Sequence, residues 1–239
     1  MKMPVYLSII IPAYNEEKRI GPTLSRIYGF LKTKNYEYEV IFIDDGSNDR
    51  TISEAKDSEL SKADKLKIVK NGMNKGKGFS VKKGILSSAG EHLLFSDADL
   101  STPIEEADKL FNYMEKGYDI VIGSRSIAGS DVKIHQPFYR EKMGRIFNFL
   151  VNSLLMSGFN DTQCGFKLFK GDIARQIGKE LTINGFCFDV EMLYLAKKKG
   201  YRIAEVGIIW ENSPQSRVRV ISSSLSMFMD IFRIKRAHG

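Results

Sequence analysis

Cysteine is nearly absent. Cys164 and Cys187 are the only two in 239 residues, too few for a disulfide framework and at no metal-ligand spacing, so a reducing compartment is expected. His92, His135 and His238 are scattered, and none has a second ligand at the spacing a zinc site uses. No segment reaches the roughly 18 apolar residues that a bilayer crossing needs. Residues 1–3 run straight into Pro4 and a strand-like stretch, unlike a signal peptide. The expectation is a chain that is soluble or lies on a surface without spanning it. Repeats, low-complexity tracts and linkers are also missing. The remaining composition, 43% hydrophobic and 27% charged, excludes disordered and collagen-like chains, and the length suits a single α/β domain.

Positive charge is in surplus. Lys and Arg number 36 against 29 Asp and Glu, a net +7. A surplus of this kind points to a polyanionic partner: nucleic acid, a nucleotide phosphate or an anionic membrane. Its placement narrows the choice. Residues 215–239 hold Arg217, Arg219, Arg233, Lys235 and Arg236 against the single acid Asp230. These basic residues flank an apolar stripe of Ile221, Leu225, Phe228, Met229 and Phe232, and no nucleic-acid motif accompanies them.

Short β-branched runs at residues 7–11, 39–43, 66–69, 92–95 and 119–122 alternate with helical patterns near 16–33, 49–62, 77–88 and 103–116. Pro103 suits a helix's first turn, with Ser101 or Thr102 as its cap. Such alternation predicts a mostly parallel sheet with helices on both faces. The second half carries a long amphipathic helix, with Met143, Ile146, Phe147, Leu150, Val151, Leu154 and Leu155 at helical spacing.

Ligands of parallel α/β sheets bind beyond the carboxyl ends of the strands. Three predicted strand ends carry acids: Pro12-Ala13-Tyr14-Asn15-Glu16, Asp44-Asp45-Gly46-Ser47 and Asp97-Ala98-Asp99. Any one of them reads equally as turn chemistry; three on one rim read as a site. In extended backbone Asp97 and Asp99 project to the same side. Two such carboxylates either share a hard cation, Mg²⁺ or Mn²⁺, or divide into a helix cap and a solvated acid. The stretch Asn74-Lys75-Gly76-Lys77-Gly78 fails both the Walker and the dinucleotide patterns. What is left is a basic loop opening a helix, able to approach a diphosphate through backbone N–H groups and Lys77.

In this order, with Gly123-Ser124-Arg125 following, the motifs resemble the family 2 glycosyltransferases of GT-A fold, over essentially the whole chain. Asp161-Thr162-Gln163-Cys164-Gly165-Phe166-Lys167-Leu168-Phe169, Phe188-Asp189-Val190-Glu191, Trp210 and Ser216-Arg217 look most like the branch that glucosylates dolichyl phosphate. The resemblance implies a GT-A fold (a Rossmann-like, mostly parallel sheet flanked by helices) in one domain over 1–239. Residues 1–125 would bind the nucleotide-sugar, 126–214 the acceptor, and 215–239 would form a basic amphipathic helix. It also implies inverting transfer of a hexose, glucose from UDP-glucose favoured, to dolichyl or polyprenyl phosphate. Pro12, Ala13, Tyr14, Glu16, Ile43 and Asp45 would hold base and ribose, and Asp97, Ala98 and Asp99 would meet ribose, diphosphate and metal. Arg125, Arg140 and Arg217 would meet phosphates. The mannose synthases of the group place Gln as a metal ligand two residues after the second Asp. Ser101 stands there here, the third candidate metal position after Asp97 and Asp99, which leaves Asp99 as the one secure protein ligand and disfavours GDP-mannose.

The chemistry is consistent with this assignment. A leaving diphosphate needs a divalent cation and basic groups aimed at it. A phosphate monoester has a second pKa near ~6 and attacks as an anion without a general base. A sugar-hydroxyl acceptor would instead need one, from Asp161 or Asp189. A third alternative, an inactive nucleotide-sugar binding module, is at odds with the intact Asp97, Asp99 and Arg125. Arg140 reads equally as a solvated arginine, and Asp189 and Glu191 as acids favoured at a helix start, with Asp189 otherwise lining the sugar pocket. With no predicted span, a lipid acceptor calls for peripheral attachment to the cytoplasmic face of a membrane. The C-terminal stripe is expected at the interface, and the 140–156 stripe is expected to be partly buried.

Overall fold

The computed structural model describes residues 4–134, 137–211 and 220–239, without the side chains of Arg140 and residues 220–225. Strand β1 (Leu7–Ala13) is buried along its whole length. A strand with seven apolar or small residues and no exposed face belongs in the middle of a sheet covered on both sides. It pairs in parallel with β2 (Tyr38–Asp44) and β4 (His92–Ser96), and β2 pairs in parallel with β3 (Leu66–Lys70). Between them run α1 (Ile20–Leu31), the short helices α2 (Thr51–Lys56) and α3 (Glu59–Lys62), and α4 (Lys77–Leu86). A 3₁₀ turn over Ile104–Glu106 leads into α5 (Ala107–Glu115), then β5 (Ile120–Ser124). Pro103 stands at the start of that turn, and no side chain caps it.

The second half adds β6 (Asp131–Ile134), α6 (Phe138–Leu154), β7 (Phe166–Lys170), α7 (Gly171–Glu180), α8 (Phe188–Lys198), β8 (Ile203–Gly207), β9 (Ile209–Glu211) and α9 (Val220–His238). Strand order in the main sheet is β3-β2-β1-β4-β7-β5-β8, and β6 pairs with β9 in a separate two-stranded ladder. Strand β7 runs antiparallel to both β4 and β5. The sheet is therefore the expected mostly parallel one, with one reversed strand that brings the 161–165 segment to the same rim as the ends of β4 and β5.

Two cores cover the two faces. Leu7, Ile9 and Ile11 point into one, with α1 and α5; Ile10, Ile41 and Ile43 point into the other, with α4, α7 and α8. Helix α6 divides its stripe as expected. Phe147, Leu150, Val151, Leu154 and Leu155 pack on the second core, while Ile146, Phe138, Tyr139 and Phe149 stay exposed. Helix α9 buries Ile231 and Ile234 and exposes Phe228, Met229 and Phe232. Among the described residues no helix is long and apolar enough to cross a membrane.

Candidate active site

The loops after β1 and β2 are stitched together. Asn15 adopts a left-handed backbone (φ 54°). Its N–H donates to Ser47 Oγ at 2.9 Å, and its Oδ1 accepts from Asn48 N–H at 2.8 Å. Asp44 accepts from the N–H groups of Gly46 and Ser47, closing the turn. Asp45 reaches further: Asn71 Nδ2, Lys75 N–H and Gly76 N–H donate to its carboxylate at 2.8, 2.9 and 2.9 Å. These carboxylates therefore do structural work at the rim of the sheet. Asp45 still lines the cleft there, of about 420 Å³, together with Pro12, Ala13, Tyr14 and Glu16. Ile43 does not. Its side chain is fully buried on the core face of β2 against α4, because residue alternation sends Ile43 and Asp44 to opposite sides.

Asp97, Ala98 and Asp99 lie just past β4, in a turn rather than in extended backbone. Leu100 is left-handed (φ 45°) and its N–H donates to Asp97 O. Thr23 Oγ1 donates to Ala98 O at 2.7 Å, fixing the turn to α1. Asp99 Oδ1 accepts from Ser101 N–H at 3.0 Å, and Asp99 Oδ2 stands 3.8 Å from an Arg19 guanidinium nitrogen. Burial, and then the Asp97 charge beside it, push the Asp99 carboxyl above the usual aspartate range. Asp97 Oδ1 forms an ion pair with Lys77 Nζ at 2.6 Å. Burial works against the Lys77 charge, but Asp97, with Asp189 behind it, outweighs this and raises its pKa. Gly165 leaves room for the Asp97 carboxylate: a Cβ there would sit 2.1 Å from Asp97 Oδ2.

The backbone of the glycine-rich loop is not available to a diphosphate in the way its sequence predicts. Lys75 and Gly76 donate to Asp45, while Gly78 and Phe79 N–H donate to Asn184 O at 2.8 and 3.3 Å. What the loop offers the cleft is Asn74, Gly76 and the Lys77 side chain. Gly76 and Gly78 answer a packing demand instead, since a Cβ at either would fall within 2.3 Å of the Asn184 or Ile183 carbonyl oxygen.

Arg125 lines the cleft over the Trp210 ring, 5.4 Å from its centroid. Its guanidinium is forked onto Asp161 at 2.7 and 2.8 Å. That pairing lowers the Asp161 carboxyl against the effect of burial. Asp161 N–H is itself held by Glu205. Arg125, Gln163 and Trp210 also line a smaller adjoining cavity of about 180 Å³ with Arg145, Asn148 and Thr162. Asp189 is not at the cleft surface. It is buried at the start of α8 in a 2.5 Å ion pair with the fully buried Lys167, and burial raises its pKa despite that partner. Arg140 falls in the first turn of α6, its side chain outside the described residues, and Arg217 lies outside them altogether.

The model of glycosyl transferase family 2 matches residues 8–178. The chain belongs to that family. It is 39% identical to the dolichyl-phosphate beta-glucosyltransferase of Dictyostelium discoideum over 97% of this chain and 74% of that one. The corresponding figures are 38%, 95% and 74% for the Drosophila melanogaster enzyme of the same name, and 34%, 96% and 74% for the human one. Among solved structures, glucosyl-3-phosphoglycerate synthase of Mycobacterium tuberculosis superposes with a TM-score of 0.71 at 16% identity, covering 96% of this chain and 80% of that one. Mannosyl-3-phosphoglycerate synthase of Rubrobacter xylanophilus gives 0.72 at 16%, covering 97% and 74%. These neighbours establish the GT-A fold.

The rim of this family 2 glycosyltransferase suits a divalent cation that brings most of its own ligands. Among the described residues no three His, Cys, Asp or Glu groups converge. Asp97 is committed to Lys77, leaving Asp99, whose Oδ2 lies 3.8 Å from an Arg19 guanidinium nitrogen. One carboxylate completed by substrate phosphates and water is the usual Mg²⁺ arrangement. Ser101 contributes its N–H to Asp99 and its carbonyl to Glu211 N–H, so it orients the acid. Asn74 of the glycine-rich loop lines the cleft as well, and so do Arg19, Ser80, Gly185 and Phe186, which no motif marked. Arg19 alone had a visible signal, three residues after Glu16, whose carboxylate grips it at 2.6 and 2.7 Å.

Proposed function

We propose that the protein transfers glucose from UDP-glucose to dolichyl phosphate or another polyprenyl phosphate, with inversion, at the cytoplasmic face of a membrane. The observation that carries this is the Asp97/Asp99 turn facing Lys77 in a cleft at the sheet rim, in a chain so similar to dolichyl-phosphate beta-glucosyltransferases. Pro12, Ala13, Tyr14, Glu16 and Asp45 would hold the uridine in the 1–125 half. Asp99 would hold Mg²⁺ or Mn²⁺, which supplies Lewis-acid neutralisation of the leaving diphosphate. A structural neighbour was crystallised with Mn²⁺, UDP and glucosyl-3-phosphoglycerate, which supports that choice. Lys77, pinned by Asp97, adds fixed positive charge where the diphosphate gathers its own.

The acceptor would approach through the smaller cavity, built largely from the 126–214 half, where Arg145 and Arg125 would meet it; Arg140 and Arg217 are further phosphate partners on the family resemblance alone. A phosphate monoester is already ionised at neutral pH and needs no base. The two carboxylates that would serve as base for a hydroxyl acceptor are each locked to a cation, Asp161 to Arg125 and Asp189 to Lys167. That favours an anionic nucleophile. Membrane attachment is supported by the exposed Phe228, Met229 and Phe232 of α9 beside Arg233, Lys235 and Arg236, and by the exposed face of α6.

The test is a donor screen. UDP-glucose, UDP-galactose, UDP-N-acetylglucosamine and GDP-mannose are offered with polyprenyl phosphate and Mn²⁺, and the product anomer is assigned by NMR. The β-glucosyl lipid from UDP-glucose is expected; preferred use of another donor, or no lipid product, would overturn the assignment.

A further inference from the structure

Glu191 is a fully buried carboxylate in the first turn of α8 that the reaction scheme leaves without a part. A favourable helix dipole asks only for an acid near the helix start, yet this one is saturated with donors. Thr182 N–H reaches its two oxygens at 2.9 and 3.0 Å, Thr182 Oγ1 donates at 2.6 Å and Ile183 N–H at 2.9 Å. His238, near the end of α9, contacts it through Nε2 at 2.8 Å. The segment it holds, residues 182–186, joins α7 to α8 and crosses the start of α4. There Asn184 O accepts from Gly78 and Phe79 N–H. The crossing is so close that Gly76 and Gly78 have no space for a Cβ. The next two residues, Gly185 and Phe186, wall the cleft.

We propose that Glu191 is a positioning residue for the donor diphosphate. It fixes the 182–186 strap, the strap fixes the first turn of α4, and that turn carries Lys77 to Asp97. The inference rests on the glucosyl-transfer reading, which makes Lys77 a diphosphate contact. Replacing the carboxylate by an amide sets an N–H against the N–H donors of the strap. A buried donor left without an acceptor is costly, so the strap lifts and the α4 start follows it.

The experiment uses the full chain and measures UDP affinity calorimetrically in Mn²⁺, alongside the KM of a polyprenyl phosphate. For Glu191→Gln the UDP dissociation constant should rise roughly tenfold, and for Thr182→Ala, an exposed residue that removes one donor, about two- to threefold. The acceptor KM should stay within about twofold in both. A merely structural role would lower melting temperature and move both substrates alike, or neither. UDP affinity unchanged in both variants overturns the inference while leaving the functional reading intact. If Glu191→Gln does not fold, Thr182→Ala decides. Failure of the unsubstituted protein to bind UDP would overturn the donor reading and this inference with it.

Discussion

Gly165→Ala is a one-carbon perturbation aimed at the turn that the chemistry depends on. The added Cβ would lie 2.1 Å from Asp97 Oδ2 and 2.5 Å from Cγ, whereas ordinary contact begins at 3.4 Å. The carboxylate has to retreat by more than an ångström, and Asp97 N–H, bonded to Gly165 O, moves with it. The 2.6 Å pair with Lys77 is lost in that movement. Overpacking of this kind costs about 1–3 kcal/mol of stability, which a domain of this size tolerates. A displacement near 1 Å in a reacting assembly costs on the order of 10²-fold in rate. Turnover of UDP-glucose with polyprenyl phosphate should therefore fall by about that factor, with the melting temperature down by only a few degrees. A variant with turnover within about threefold of the unsubstituted protein would refute the placement of Asp97 in the working site.

Three further outcomes follow from the same geometry. Lys167→Met strands the buried Asp189 and should cost about 3–5 kcal/mol in urea unfolding, most of it recovered in Lys167→Met/Asp189→Leu; equal stability of single and double variants would contradict the pairing. The Asp161 carboxyl is lowered in the folded protein, so its contribution to stability is complete above the unfolded value near ~3.9 and is lost as pH falls below it. Calorimetric melting between about pH 5 and pH 3 should accordingly drop more steeply for the natural chain than for Asp161→Asn; parallel curves would count against it. On α6, Ile146→Ser with Phe149→Ser removes two exposed apolar side chains and should weaken co-sedimentation with phosphatidylserine vesicles at least tenfold, at roughly 1.5 kcal/mol or more apiece. Unchanged recovery would remove this face from the membrane contact.

Much of the fold was legible because it is written in local pattern. The five strand runs of the first half fall within one or two residues of the observed elements, since continuous apolar runs bounded by turn residues leave little choice. Strand β7 was not legible as a strand. Lys167 interrupts its apolar run and looks like a surface residue, and only the buried Asp189 on another element explains it. The acid-rich strand ends marked the rim, but their geometry was not evident: the Asp97/Asp99 pair sits in a turn that hinges on left-handed Leu100. The glycines of 76–78 looked like a phosphate cradle because glycine signals close approach without naming what approaches. Here it is a strap about a hundred residues away in sequence. Ile43 was misplaced for a simpler reason, the alternation of the strand that carries it.

The most direct test of the account is a UDP titration with and without Mn²⁺, on the natural chain and on Asp99→Ala. The account predicts binding that Mn²⁺ strengthens in the natural chain and leaves unchanged in the variant, with melting temperatures alike. A full Mn²⁺ response in Asp99→Ala, or none in the natural chain, would contradict it.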